Sequence, residues 1–193
     1  KKIMDLSEEY TQDIRVLTWA FTFDGERAFE GTRTFTTYGF DKPILNLFRM
    51  LSQLGTIKVF NSPSSLEPAN GHYLSVLAAA SNQKRIEIMV ISHHEDWDVE
   101  GKCEVKLEVI NLPFNGEFLL KHYRIDRERS NAYTEWVKLG RPDYPNEIQS
   151  EKIRKKMGLE LCEPITRISA EDKIVKTFNM PFHAISLIIL EKT

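Results

Sequence analysis

Two hydrophobic periods divide this chain. Residues 14–23 form an apolar run, rich in β-branched and aromatic side chains, with few polar breaks. That pattern predicts a strand buried on both faces. A helix end over residues 3–10 precedes it, with Ile3, Met4 and Leu6 as its apolar positions. A loop over residues 24–38 follows, punctuated by Gly25 and Gly31. Ile44, Leu47, Phe48, Leu51 and Leu54 then recur at helical spacing. Asp41 stands where it can cap this helix. Pro43 falls in the first turn, where its missing N–H costs little, and Gly55 is positioned to stop the helix.

From residue 57 the period changes to two. Strands are predicted over 57–60, 72–80, 85–92, 103–111, 118–125, 174–179 and 184–190. A turn-rich connector spans 61–71, and a polar helix spans 146–156. Ile86, Ile88 and Val90 oppose Glu87, Met89 and Ile91, while Val105, Leu107 and Val109 oppose Lys106, Glu108 and Ile110. One apolar face and one mixed face suit a sandwich.

A lone β/α unit cannot bury both faces of its strand. The expected fold is therefore mainly β. A β-sandwich is expected over residues 56–193, with a short helical insert near 146–157. Before it, residues 1–55 are expected to be the helix–strand–helix end of a β/α architecture. The chain opens on Lys1-Lys2-Ile3 without an initiator Met, so an upstream segment is expected.

Composition narrows the class. Apolar residues make up 41% and charged residues 28%, as in soluble globular chains. A net charge of −2 gives no reason to expect a nucleic acid or an anionic membrane as partner. No apolar run approaches the roughly 18 residues of a membrane span. Cys103 and Cys162 stand far apart, outside any C-x-x-C pair. Two free, buried thiols are expected, which suits a reducing compartment and a cytoplasmic location.

Candidate chemistry is sparse. Asp24, Glu26 and Glu30 crowd the first loop, but their spacing does not set two carboxylates across a cleft. Trp19, Phe21 and Phe23 alternate toward the C-terminal end of their strand, the end that faces the site in a β/α barrel. Trp19 is the best single candidate for stacking on a sugar ring; core packing is the plainer account of the set. The stretch His93-His94-Glu95-Asp96-Trp97-Asp98 looks metal-like. Adjacent strand residues point to opposite faces, so the two histidines are poorly placed to share an ion, and no metal or cofactor is expected. Trp97 among acids is a candidate sugar platform. The arginines of 124–129 alternate with Asp126 and Glu128, as on a solvated edge with local ion pairs.

Two stretches carry a resemblance. The first is Leu17-Thr18-Trp19-Ala20-Phe21, then Phe29-Glu30-Gly31, Gly39-Phe40-Asp41-Lys42-Pro43 and Leu47-Phe48-Arg49-Met50. The second is Tyr123-Arg124-Ile125-Asp126, then Ser130-Asn131-Ala132-Tyr133, Trp136, Gly140-Arg141-Pro142, Pro145 and Gln149. Together they resemble the C-terminal part of glycoside hydrolase family 39, the β-xylosidase and α-L-iduronidase family. Arg129 departs from the pattern, since many relatives have His there. The run Ile125-Asp126 to Pro142 is closer to the β-xylosidase branch.

The resemblance implies that residues 1–55 close a (β/α)8 catalytic barrel and that the sandwich is its accessory domain. It implies a retaining glycosidase with two glutamates, one in an Asn-Glu-Pro motif. Asn146-Glu147-Ile148 does not match that motif, and the nucleophile's strand would precede residue 1. No catalytic residue is therefore assigned in this chain, which is expected to be inactive alone. Trp19 matches a position near the sugar subsite, and Glu30 and Gly31 match the rim. The expected partners are a xylo-oligosaccharide and the remainder of the barrel or a second copy of the chain. In the family a short N-terminal segment of the enzyme joins the sandwich, so an unfilled sandwich edge is expected. A non-catalytic carbohydrate-binding or interaction module, with Trp97 or Trp136 as platform, stands as an alternative, as does a sensor domain of the same family.

Overall fold

The structure is a computed structural model and describes residues 2–15, 25–31, 35–61, 70–81 and 84–193. In chain order these contain α1 (Lys2–Glu9), β1 (Thr36–Thr37), β2 (Phe40–Asp41), α2 (Pro43–Leu51), β3 (Ile57–Lys58), β4 (His72–Ser81), β5 (Arg85–His94), β6 (Lys102–Ile110) and β7 (Gly116–Ile125). Then follow α3 (Ala132–Lys138), α4 (Glu147–Arg154), β8 (Glu160–Leu161), β9 (Thr166–Ala170), β10 (Lys173–Pro181) and β11 (Ala184–Lys192).

The chain is mainly β and builds an antiparallel sandwich. One sheet runs β3-β4-β5-β11-β7-β8, with β9 also paired to β7. The other, among the described residues, is a ribbon of β6 and β10 with no further strand on either edge. Ile86, Ile88, Val90, Phe118, Leu120, Ile188 and Leu190 face Val105, Ile174 and Met180 across the interior. Alternation places these side chains on one face of each strand.

The large sheet is also buried on its other face. Met50 of α2, with Leu47 and Leu54, covers Met89, Leu187, Ile189 and Ile125. The mixed face predicted for β5 is therefore a second core. Its one acid, Glu87, is fully buried. Its carboxylate accepts from Ser81 Oγ at 2.7 Å and from the Gly55 N–H at 3.2 Å, with Arg85 Nε 3.3 Å away. A buried charge needs such partners.

The start of α2 differs from expectation. Lys42, not Asp41, occupies the N-cap, without a side-chain cap bond. Asp41 instead holds Arg49 Nη2 at 2.5 Å. The helix ends at Leu51, and Gly55 has a different role: a Cβ there would lie 2.1 Å from the Ala80 carbonyl oxygen. Only glycine lets this segment run directly over β4.

The polar helix at 146–156 is α4, opened by a reciprocal capping box between Asn146 and Gln149. Neither α3 nor β9 was legible in the pattern. Within β9 only Ile168 contributes to the core as a large apolar side chain, too little for a period. The predicted strand over 14–23 lies outside the described residues apart from Ile14 and Arg15, which are irregular. Cys103 and Cys162 are free, and half-buried rather than buried. Burial pushes the Cys103 thiol's pKa up.

Candidate functional site

Trp19 and Asp24 lie outside the described residues. Glu30 and Gly31 are exposed, in the segment that precedes β1. Glu30 Oε2 accepts the Arg27 backbone N–H at 2.9 Å, so this carboxylate stabilises its own turn. The Glu30 carbonyl accepts from Lys42 Nζ at 3.0 Å and from Thr37 Oγ1 at 3.2 Å, and the Gly31 carbonyl also accepts from Lys42. Burial lowers the Lys42 pKa, while the charge of Glu26 acts in the opposite direction. The ammonium thus ties Glu30 and Gly31 to the start of α2.

At Phe29 the two resemblance-bearing stretches meet. Phe29 stacks on Phe40 at 5.9 Å between ring centroids, and packs against Trp136 at 5.3 Å and Tyr133 at 5.7 Å. Trp136 Nε1 donates to the Pro142 carbonyl at 2.9 Å. The Ala28 N–H reaches the Asp143 carbonyl at 3.0 Å. Buried Asn46 of α2 donates to the Ser130 carbonyl at 2.7 Å, and Arg49 donates to the Met157 carbonyl at 2.9 Å. These residues join residues 28–30 and α2 to the helical insert. The half-buried Trp136 serves this joint and presents no open platform.

The metal-like stretch ends β5. His94 is buried, with Nε2 2.8 Å from the Asn70 carbonyl and Nδ1 accepting the Asp96 N–H at 3.0 Å. His93 lies on the other side of the strand, edge-on to Trp97. Among the described residues no group of three or more His, Cys, Asp or Glu is arranged to hold a metal ion. Trp97 is 72% exposed.

One constellation escaped the sequence. His122 Nδ1 lies 2.9 Å from Glu163 Oε1, and His122 Nε2 lies 3.0 Å from Ser186 Oγ. The order resembles an acid, base and nucleophile. Ser186 is 0% exposed and His122 1%, however, so no substrate reaches the hydroxyl. Arg124 Nε also donates to Ser186 Oγ, at 3.1 Å. Burial holds the His122 pKa down to about 4, against a raising hydrogen bond from Glu163. The imidazole is therefore neutral near pH 7, and its contact with Glu163 is a hydrogen bond, not an ion pair. Burial raises the Glu163 pKa, but Lys176 and His122 outweigh it and the net shift is downward. The group fills the space between the sheets with a polar network in which one buried guanidinium nitrogen, Arg124 Nη2, has no hydrogen-bond partner. Arg124 belongs to it and is buried, contrary to the solvated edge expected for 124–129. Arg129 does pair with Asp126, at 3.3 Å. Only the β7–β11 register, which sets Arg124 opposite Ser186, brings this network together.

The model of the family Glycosyl hydrolases family 39 matches residues 22–166. No curated protein sequence matches the chain. Among solved structures, a monomeric beta-xylosidase from Caulobacter crescentus aligns with a TM-score of 0.71 at 18% identity, covering 86% of this chain and 34% of that one. A GH39 enzyme from Xanthomonas axonopodis pv. citri gives 0.72 at 15%, with the same two coverages of 86% and 34%. A bacterial orthologue of human α-L-iduronidase gives 0.68 at 22%, covering 80% of this chain and 28% of that one. At these identities the likeness is one of fold, and the chain spans about a third of the length of the solved structures it matches.

Proposed function

This chain belongs to glycosyl hydrolase family 39, and on that premise we propose that it is the C-terminal part of a retaining β-xylosidase releasing terminal xylose from xylo-oligosaccharides. The observation that carries the reading is the family match over residues 22–166, which takes in nearly all of both signature stretches. The run Ile125-Asp126 to Pro142 favours xylose over iduronate. The likeness to the Caulobacter beta-xylosidase agrees in fold.

In this reading residues 1–55 close the catalytic barrel and 56–193 are its accessory sandwich. Both catalytic glutamates belong to the part of the enzyme that precedes this chain. Trp19 supplies a stacking wall, and Glu30 and Gly31 shape the rim that Lys42 holds. The chain packs against the rest of the barrel or a second copy of itself, and the enzyme is cytoplasmic. Among the described residues the outer edges of β6 and β10 are unpaired, which leaves room for a strand contributed from elsewhere in the enzyme.

The test is hydrolysis of 4-nitrophenyl β-D-xylopyranoside and of an aryl α-L-iduronide. The 193-residue chain alone should cleave neither, and the enzyme that includes the preceding segment should cleave the xyloside. Turnover by the chain alone would overturn the assignment of both carboxylates. Preference for the iduronide would overturn the substrate.

A further inference from the structure

We propose that the end of the sandwich where the chain crosses between sheets is a binding site for a neutral sugar ring, with Trp97 as its stacking face. Two crossings meet there. Residues 95–101 carry the chain from β5 to β6, and Phe182-His183 carry it from β10 to β11. The Phe182 N–H bonds the Gly101 carbonyl at 2.9 Å, and His183 Nε2 lies 3.2 Å from the Asp96 carbonyl. This fastening sets the imidazole of His183 parallel to the indole of Trp97, 5.3 Å between centroids and 16° between planes. His93 meets the same indole edge-on at 5.3 Å.

The indole is held in place yet remains 72% exposed. An apolar ring left in water contributes little to folding. The residue that backs it carries two costs. His183 has φ +55°, in the left-handed region, and its Nδ1 is buried with no hydrogen-bond partner. Both are accepted at the residue that orients the indole.

The rim selects the ligand's chemistry. Tyr73 Oη donates to Glu95 Oε1 at 2.5 Å, which fixes one carboxylate beside the aromatic strip. Glu95, Asp96 and Asp98 are exposed and repel phosphates and other anions, while Glu100 is paired with Arg127. His72, His93, His94 and His183 converge here. Burial first, and then electrostatic repulsion from the neighbouring imidazoles, lower the His72 pKa. Histidines and acids around one indole do not make the contiguous apolar patch of a protein interface. A sugar ring fits both demands: its C–H face lies on an indole, and its hydroxyls donate to carboxylates.

The inference needs no catalytic residue and is independent of the hydrolytic reading. Titration of the 193-residue chain with xylohexaose and cellohexaose, by calorimetry and Trp fluorescence, tests it. Saturable binding is expected. Trp97→Ala should raise Kd at least about tenfold, as loss of an aromatic anchor does. Trp97→Phe should keep most of the affinity, and both variants should melt like the parent. No saturation up to the solubility limit of the sugar would overturn the proposal. So would binding that Trp97→Ala leaves unchanged, or saturation by tetramethylammonium instead.

Discussion

The two sheets of the sandwich use the same alternation to opposite ends. In β6 every second side chain is core, and those between, such as Lys106 and Glu108, meet water. In β5 the positions between are core as well: Ile88 faces the ribbon, and Met89 faces α2. The ribbon is a one-sided structure. The large sheet is the middle layer of three, with a helix on its outer face. Period-two patterning marks a strand in both cases, but whether the second face is wet depends on what lies over it.

The largest effect expected from this contrast is at Leu187, fully buried on the face beneath α2. Leu187→Ala should destabilise by about 2–5 kcal/mol, as other large-to-small core changes do. A thermal or urea melt measures it, and an unchanged midpoint would mean that the helix does not seal this face. The next effect comes from between the sheets. Burial lowers the His122 pKa to about 4, below its unfolded value near 6.5, so the unfolded chain binds the extra proton first. Stability should be full above about pH 6.5 and fall by up to about 3 kcal/mol as pH drops toward 4. The variant His122→Gln should lose that part of the acid dependence in urea melts taken across this window. A dependence that persists unchanged would place its origin elsewhere. The smallest effect is expected on the ribbon's outer face. Val175 is half-exposed there, and Val175→Thr should shift stability by no more than about 0.5 kcal/mol. A larger loss would reveal that something covers the ribbon too.

The same contrast explains what was legible. The long strands β4, β5, β6, β7, β10 and β11 all fall where the apolar period placed them. Helix α4 was marked by Asn146 and Gln149, whose side chains close a capping box within a few residues. β9 was invisible because it needs only one large apolar contact once β7 supplies its ladder of hydrogen bonds. Gly55 was misread as a helix stop because sequence shows a glycine but not the strand beneath it. Of the named site residues, Glu30 and Gly31 are exposed, with Glu30's carboxylate tied to its own turn. Trp97 and Trp136 were both named as sugar platforms, yet one is open and the other is fastened into a joint. Nothing local to either tryptophan distinguishes them, because its exposure depends on chain more distant in sequence.

The sequence by itself determined the six long strands, the polar helix and the family, since local periods and short motifs survive without knowledge of neighbours. Tertiary structure alone decided three things. It covered the second face of the large sheet, drew Ser186, His122 and Glu163 into a sealed network, and set His183 behind an open indole. Each depends on segments far apart in the chain, and burial and hydrogen-bond partners exist only once those segments meet.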